Sequence, residues 1–308
     1  MCRDAELKQK IIVRKARSSD NDAVFKFCEK TWDWGDYVPR VWNRWLEEKD
    51  GRILVATINN VPVGISHVKI LKQGEAWLEA ARTDPNYRRK GVATAITKEC
   101  FKFALQKGAK LVRLITASDN TAALRVLRKL GLNLVSEFVK MTCEKTEAGK
   151  SEKTRWAKVT DEKEIWEFLR KSKCYAKSAG SFTILYVWTS LQKEDLKKFL
   201  AEKKAIIYRD ENAVSGLILI DDGVSREWTE NSVQTCYVDG TQEAVLDMIR
   251  FLKRYCRESG IKKIYGFTCD HKPITSAFDI MGFERDTLTC IYLFEKRLSA
   301  DEAKRSLG

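Results

Sequence analysis

"TDPNYRRKGVATAITKECFKFAL", residues 83–105, changes character twice. A β-type run, AWLEAART (76–83), leads into it. The cations Arg88, Arg89 and Lys90 then stand before Gly91, and a helix is predicted from Val92 to Gln106. Gly91 lets the backbone pass close to a ligand, and Ala93 keeps the helix start free of side-chain bulk. The unpaired N–H groups there, with the helix dipole and three cations, favour an anion of the diphosphate kind. A Walker loop is excluded because no Lys-Ser/Thr follows, and the Gly-x-Gly-x-x-Gly dinucleotide fingerprint is absent.

The rest of the chain gives this segment its setting. Its 308 residues are 44% hydrophobic and 32% charged, enough for one large or two ordinary folded domains. No apolar run approaches the ~20 residues that span a bilayer, and the charged start MCRDAELKQK lacks a signal-peptide core, so a cytoplasmic location and no membrane partner are expected. Nine scattered cysteines without a Cys-x-x-Cys pair, and only two histidines, suit a reducing compartment and argue against a metal site. The net charge of +13 is uneven: residues 1–150 carry 29 Lys/Arg against 18 Asp/Glu, residues 151–308 carry 27 against 25. A basic first half implies an anionic partner. The basic residues form no aromatic-interleaved nucleic-acid motif, so nucleic acid is not the expected one.

The same order of elements runs twice. IIVRKAR is a strand and SSDNDAVFKFCEKTW an N-capped amphipathic helix; strands follow at RILVATI, VGISHVKIL and AWLEAART, then the long helix, a strand at LVRLIT and a helix after Asp119. In the second half TRWAKV, DEKEIWEFLRKS, AIIYRDENAVSGLILI and QEAVLDMIRFLKRYCRESGIKKIYGFT repeat the plan. Gly64 aligns with Gly216, Gly108 with Gly260 and Gly131 with Gly282. The expected division is a first domain over 1–145, a polar linker over 146–154 and a second domain over 155–308. The second half lacks the basic loop: Gly240 falls about where Arg88 does, Glu243 where Gly91 does, and His271 where Asn120 does. An acidic loop repels a diphosphate, so this domain is expected to complete a pocket or stabilise the first, as a partner subunit would, making a monomer sufficient.

Arg88-x-x-Gly91-x-Ala93 resembles the Arg/Gln-x-x-Gly-x-Gly/Ala signature of the GNAT acetyltransferases. Asn120-x-x-Ala123 with Gly131 downstream resembles that family's second motif. The resemblance implies an α/β fold of two tandem GNAT-like domains, each a mixed, mostly antiparallel sheet flanked by helices. It also implies acetyl-CoA as cosubstrate, with no metal. Its pyrophosphate would lie on Arg88, Arg89, Lys90, Gly91, Val92, Ala93 and Thr94. Ala81, Arg82 and Thr83 would line it from the preceding strand, and Asn120 and Ala123 would flank the pantetheine arm. One departure stands out: Leu127 occupies the position where many members have the Tyr that protonates the CoA thiolate. A thiol of pKa ~8.5 can leave without a dedicated acid.

An amine acceptor must lose a proton as it attacks, and Glu79 is the candidate base. Relatives often carry Glu-Gly-Leu-Arg-Val-x-Pro at this place. Period-two alternation puts Glu79, Ala81 and Thr83 on one face of the strand and Arg82 on the other. The acceptor side is read in WDWGDYVPRVWNRW (32–45), which resembles a stretch of the histidine Nα-acetyltransferase-like group. Trp42 and Trp45, spaced i, i+3, are expected in the core, while Asp36, Tyr37 and Arg40 are candidate acceptor-binding residues.

The function expected is direct acetyl transfer from acetyl-CoA to the amine of a small molecule such as an amino acid, without an acyl-enzyme. Two alternatives stay open: a protein N-terminal or lysine acetyltransferase, and a non-catalytic CoA-binding or nucleic-acid-binding module.

Overall fold

The computed structural model describes residues 10–33, 35–144, 147, 149–211, 213–223, 231–286 and 290–299. The ends of the expected domains, part of the 146–154 linker and Trp34 lie outside them. Two compact units are present. The described residues of unit 1 fall within Met1–Leu114, Ala122–Asn133 and Glu295–Gly308, and those of unit 2 within Ile115–Thr121 and Leu134–Phe294.

The first half of the chain gives β1 (Ile11–Lys15), α1 (Asn21–Cys28), α2 (Val38–Glu47), β2 (Gly51–Ile58), β3 (Val61–Lys72), β4 (Glu75–Thr83), α3 (Val92–Gln106), β5 (Leu111–Ala117), α4 (Thr121–Lys129) and β6 (Asn133–Cys143). In unit 1 the sheet runs β1-β2-β3-β4-β5, antiparallel except for the parallel pair β4/β5. That parallel pairing covers only Glu75–Trp77 of β4. Val24, Cys28, Val38, Val41, Trp42 and Trp45 of α1 and α2 pack on Ile53, Val55, Ile65 and Ala80 of the sheet as one core. Trp42 and Trp45 are buried, as their spacing predicts. On α3, Val92, Ile96, Cys100 and Phe103 are buried, and Gly64 makes room for the helix: a Cβ there would meet Val92 Cγ1 at 2.7 Å.

The second half gives β7 (Thr154–Trp156), α5 (Glu162–Lys171), α6 (Lys173–Lys177), β8 (Ser181–Ile184), β9 (Val187–Ser190), α7 (Lys193–Ala201), β10 (Ala205–Asp210), β11 (Ala213–Asp221), β12 (Ser232–Gly240), α8 (Gln242–Glu258), β13 (Lys263–Cys269), α9 (Lys272–Ile280), β14 (Glu284–Arg285) and β15 (Ile291–Arg297). In unit 2 the order β7-β10-β11-β12-β13 repeats unit 1, again with one parallel pair, β12/β13. β6 continues this sheet, pairing with β13 from Phe138↔Cys269 to Cys143↔Ile264. This strand, which the expected bounds of 1–145 include in the first domain, therefore serves the sheet of the second unit. Conversely, near the end of the chain Leu298 N donates to Lys110 O, and Glu295 accepts from Arg113 of β5, within unit 1. The ladder hydrogen bonds decide this membership, and composition along the chain does not display them.

The repeat extends to side chains. Arg14 donates through both terminal nitrogens to Asp20 at 2.7 Å, and Asp20 also accepts from Arg17 N. Six residues apart in the same way, Arg155 donates twice to Asp161 at 2.8 Å, with Lys158 N donating to the same carboxylate. The expected side-chain N-cap of α1 is absent: Asp20 precedes the helix but spends its oxygens on this clamp. Among the described residues no helix is long and apolar enough to cross a membrane.

Candidate active site

The basic loop is built as the sequence suggests. Asp84 caps a short 3-10 turn, Pro85–Tyr87, by accepting from Asn86 N at 2.8 Å. Arg89 adopts φ 63°, and Gly91, φ 91°, is the N-cap of α3. Among the described residues no side chain caps the helix and its first turn carries no acid, which leaves the N–H groups of the first turn available to an anion. Arg88, Arg89, Lys90 and Gly91 are exposed, and Lys90 Nζ lies 4.7 Å from the Tyr87 ring centroid. Val92, Ala93 and Thr94 form the first turn. Asn120 directly precedes α4, which carries the half-buried Ala123; Leu127 is buried and offers no proton. These positions suit a diphosphate held by backbone amides.

The counterpart in unit 2 is closed. Gly64 pairs with Thr83 and Gly216 with Gly240, so Gly240 corresponds to Thr83, not to Arg88 as the sequence comparison suggests. Residues 84–91 of the first half have one equivalent, Thr241, whose side chain caps α8 by accepting from Ala244 N at 3.2 Å. Glu243 fills the first turn. The loop is deleted rather than merely made acidic.

On β4 the expected alternation fails. Ala80 has φ 54°, and the register slips so that Glu79 faces His67 while Arg82 faces Ile65. His67 and Ile65 are two residues apart, so this bulge turns Glu79 and Arg82 to the same face; Ala81 is exposed and Thr83 half-buried. The shared face meets α2 and the segment before it: Trp45 stacks on His67, the partner of Glu79, and Asp36 accepts from Arg82.

There the structure brings Arg82, Asp36 and Tyr37 together. Arg82 Nε donates to Asp36 Oδ2 at 2.7 Å, and Val38 N donates to Asp36 Oδ1 at 3.0 Å. The Asp36 side chain is 0% exposed, so its carboxylate is the counter-ion of Arg82 and is not presented to an incoming ammonium. The guanidinium lies 4.5 Å from the Trp32 ring centroid and 5.6 Å from that of Tyr37, and the two rings stack 6.1 Å apart. Burial, then the charge of Glu79, push the Tyr37 phenol well above its ordinary range. Arg40 is exposed on α2 and does not join the cluster.

Two residues that sequence reasoning missed sit behind Glu79. His67 Nδ1 is 2.9 Å from Glu79 Oε1, and its Nε2 is 2.9 Å from Glu48 Oε2, which also contacts Lys69 through Oε1 at 2.9 Å. The Nδ1 contact is a well-formed hydrogen bond; the Nε2 contact is close but poorly aligned. The ring is 0% exposed and lies flat on Trp45, centroids 4.1 Å apart at 10°. Burial alone would lower the His67 pKa, but Glu48 and Glu79 outweigh it and raise it. For Glu48 the contacts with His67 and Lys69 overcome burial and hold the carboxyl at about 2. The available signal was a histidine in a buried strand directly opposite a carboxylate, legible only once the β3/β4 register is known.

Residues 22–132 match the acetyltransferase (GNAT) family. Histidine N-acetyltransferase of Xenopus tropicalis is 32% identical over 109 residues, 33% of this chain and 33% of that protein. An uncharacterized N-acetyltransferase of Methanocaldococcus jannaschii is 25% identical over 136 residues, 39% of this chain and 59% of its own. The match thus spans a third of one curated relative and under two thirds of the other. In fold, the crystal structure of a GCN5-related N-acetyltransferase from Sphaerobacter thermophilus superposes with a TM-score of 0.61 at 11% identity, over 93% of this chain and 95% of that one. It is the segment 22–132, with the uncapped start of α3 and the Glu79 face, that is similar to the GNAT acetyltransferases.

Proposed function

We propose that the protein is an acetyl-CoA-dependent N-acetyltransferase whose acceptor is the amine of a small molecule, with an amino acid the first candidate. The observation that carries the reading is the start of α3: exposed cations, Gly91 at positive φ, no capping side chain and no acid. The amides of Gly91, Val92, Ala93 and Thr94 would hold the pyrophosphate, and Arg88, Arg89 and Lys90 would supply attraction over a longer range. Ala81, Arg82, Thr83, Asn120 and Ala123 would flank the rest of the cosubstrate. Unit 2, with Thr241 and Glu243 at the corresponding helix start, would hold no CoA.

The acceptor nitrogen would attack the thioester carbonyl carbon directly. Its C–N bond forms as the C–S bond breaks, the thiolate departs with the electron pair, and the amine proton passes to Glu79. With Leu127 buried where the acid usually stands, the thiolate would leave unassisted. Glu79, on the wall it shares with Tyr37, offers a carboxylate that suits an acceptor bearing an ammonium, while Arg82 on the same face is paired with Asp36. The name of the Xenopus relative makes histidine a sensible member of the first acceptor set.

The test is CoA thiol release from acetyl-CoA with a pool of free amino acids beside a pool of short peptides, products being identified by mass. Acetylated amino acids are expected, and Glu79→Gln should lower turnover ~100-fold or more with acetyl-CoA binding intact. Acetylation of peptides alone would replace this reading with a protein N-acetyltransferase. Binding without any thiol release would leave a CoA-binding module.

A further inference from the structure

The buried histidine behind Glu79 has an arrangement that constrains its chemistry. Each ring nitrogen stands 2.9 Å from a carboxylate oxygen, Nδ1 from Glu79 and Nε2 from Glu48. An ionised carboxylate only accepts, so a neutral ring would leave an unprotonated nitrogen beside a carboxylate at 2.9 Å. Two carboxylates at this distance favour a ring protonated on both nitrogens, with Nδ1 bonded to Glu79 and Nε2 in ionic contact with Glu48. The stacked indole of Trp45 at 4.1 Å adds a π-face favourable to a cation and fixes the ring plane. Resting on the reading of Glu79 as the base, we infer that His67 is its positioning residue: the imidazolium holds the Glu79 carboxylate toward the acceptor, and Glu48, His67 and Glu79 take up the amine proton as one coupled set.

The set carries two negative charges and one positive, a net −1 that becomes neutral when Glu79 accepts the proton. His67 keeps its own two protons throughout, so none is left stranded in the core. The other charged or titratable groups facing the set are Lys69, bonded to Glu48, and Tyr37, Asp36 and Arg82 on the side of Glu79. Asp36 and Arg82 neutralise one another, which leaves the imidazolium as the close cation on Glu79. The raised His67 pKa agrees with this geometry.

The test combines two readouts on the full chain. In the first, the His67 ring is followed by NMR through a pH titration; His271→Gln assigns the two histidine signals. The ring should titrate above the ~6.5 of an ordinary histidine, and Glu48→Gln should lower its titration. In the second, kcat/KM is profiled against pH for His67→Asn and His67→Gln. The Asn amide nitrogen sits where Nδ1 does and keeps a donor to Glu79 without the charge; the Gln amide reaches toward Nε2 and Glu48 instead. His67→Asn should retain measurable turnover, with KM for acetyl-CoA unchanged and the acid limb moved up by about one pH unit or more, because a nearby cation no longer favours the carboxylate. His67→Gln should lose ~10-fold more of kcat. An unshifted limb in His67→Asn, or a ring that titrates near its ordinary value, overturns the inference. If Glu79→Gln is inactive while His67→Asn is unshifted, only the inference falls; if Glu79→Gln keeps full turnover, the base assignment falls and takes the inference with it.

Discussion

Asp36→Asn separates two roles for a residue that the sequence places at the acceptor and the structure buries. The side chain is 0% exposed, with Arg82 Nε at 2.7 Å and Val38 N at 3.0 Å. Removing one member of a buried ion pair costs ~3–5 kcal/mol, mostly because the other charge is stranded. Two features reduce that here. The Asn carbonyl can still accept from Val38 N or Arg82, and the guanidinium keeps its place over Trp32, an interaction worth ~0.5–1 kcal/mol. A destabilisation of about 2–3 kcal/mol follows, a lowering of the urea midpoint by roughly 1 M at an m-value of ~2–3 kcal/mol/M. The measurement is urea unfolding at pH 7, completed as a double-mutant cycle with Arg82→Met. The double variant should lose less than the sum of the singles by at least ~1 kcal/mol, since each single leaves a partner unpaired. An unmoved midpoint accompanied by a higher KM for the amine would refute the reasoning and return Asp36 to the acceptor pocket.

Gly91→Ala tests the anion loop without touching a charge. At φ 91° an added Cβ meets nothing closer than Ile11 Cδ1 at 3.9 Å, so the effect is conformational, ~1–2 kcal/mol, and calorimetry should show acetyl-CoA bound ~5–30-fold more weakly. Stability against pH tests the Glu48–His67 contact. The folded pKa of Glu48 lies below its unfolded value, so its contribution is full above about 4.5 and is lost as pH falls toward about 2. The gap in urea midpoint between wild type and Glu48→Gln should therefore close over that window. His67, whose folded pKa is raised, contributes fully below its ordinary value and loses that contribution as pH rises through the folded one, so the gap to His67→Asn should close from the alkaline side.

The α3 boundaries, the order of elements in the first half and the glycine turn at the start of α3 are local features. Helical periodicity, Gly91 and the cationic run announce them within a few residues, and they stand where the sequence puts them. Three features were not legible, each for a tertiary reason. The bulge at Ala80 reverses the parity of everything after it on β4, so alternation put Arg82 on the wrong face; alanine carries no signal for φ 54°. The His67–Glu79 pair depends on the register of β3 against β4, a slip of one residue exchanging which side chains share a face. Placing β6 in unit 2 depends on which open edge it meets, and its own composition suits either.

The two halves show which parts of the plan the fold requires and which the chemistry requires. Gly64 and Gly216 both lie under the long helix, where an added Cβ would come within 2.7 Å of Val92 or Met248, so close packing of helix on strand demands a glycine in each. The Arg14–Asp20 clamp recurs as Arg155–Asp161 because each ties the first strand of its half to the turn that starts the following helix. At the start of the long helix the halves part. Thr241 stabilises α8 by satisfying an N–H group, which substitution studies value at ~1 kcal/mol. α3 forgoes that gain, keeps Arg89 at φ 63° and sets three exposed cations beside one another. Each choice works against the stability of the isolated domain, and the sister helix shows that the fold does not need it. A shared excess of such costs at one helix end, in the half that also holds Glu79 against the buried His67, is what binding an anionic cosubstrate would explain.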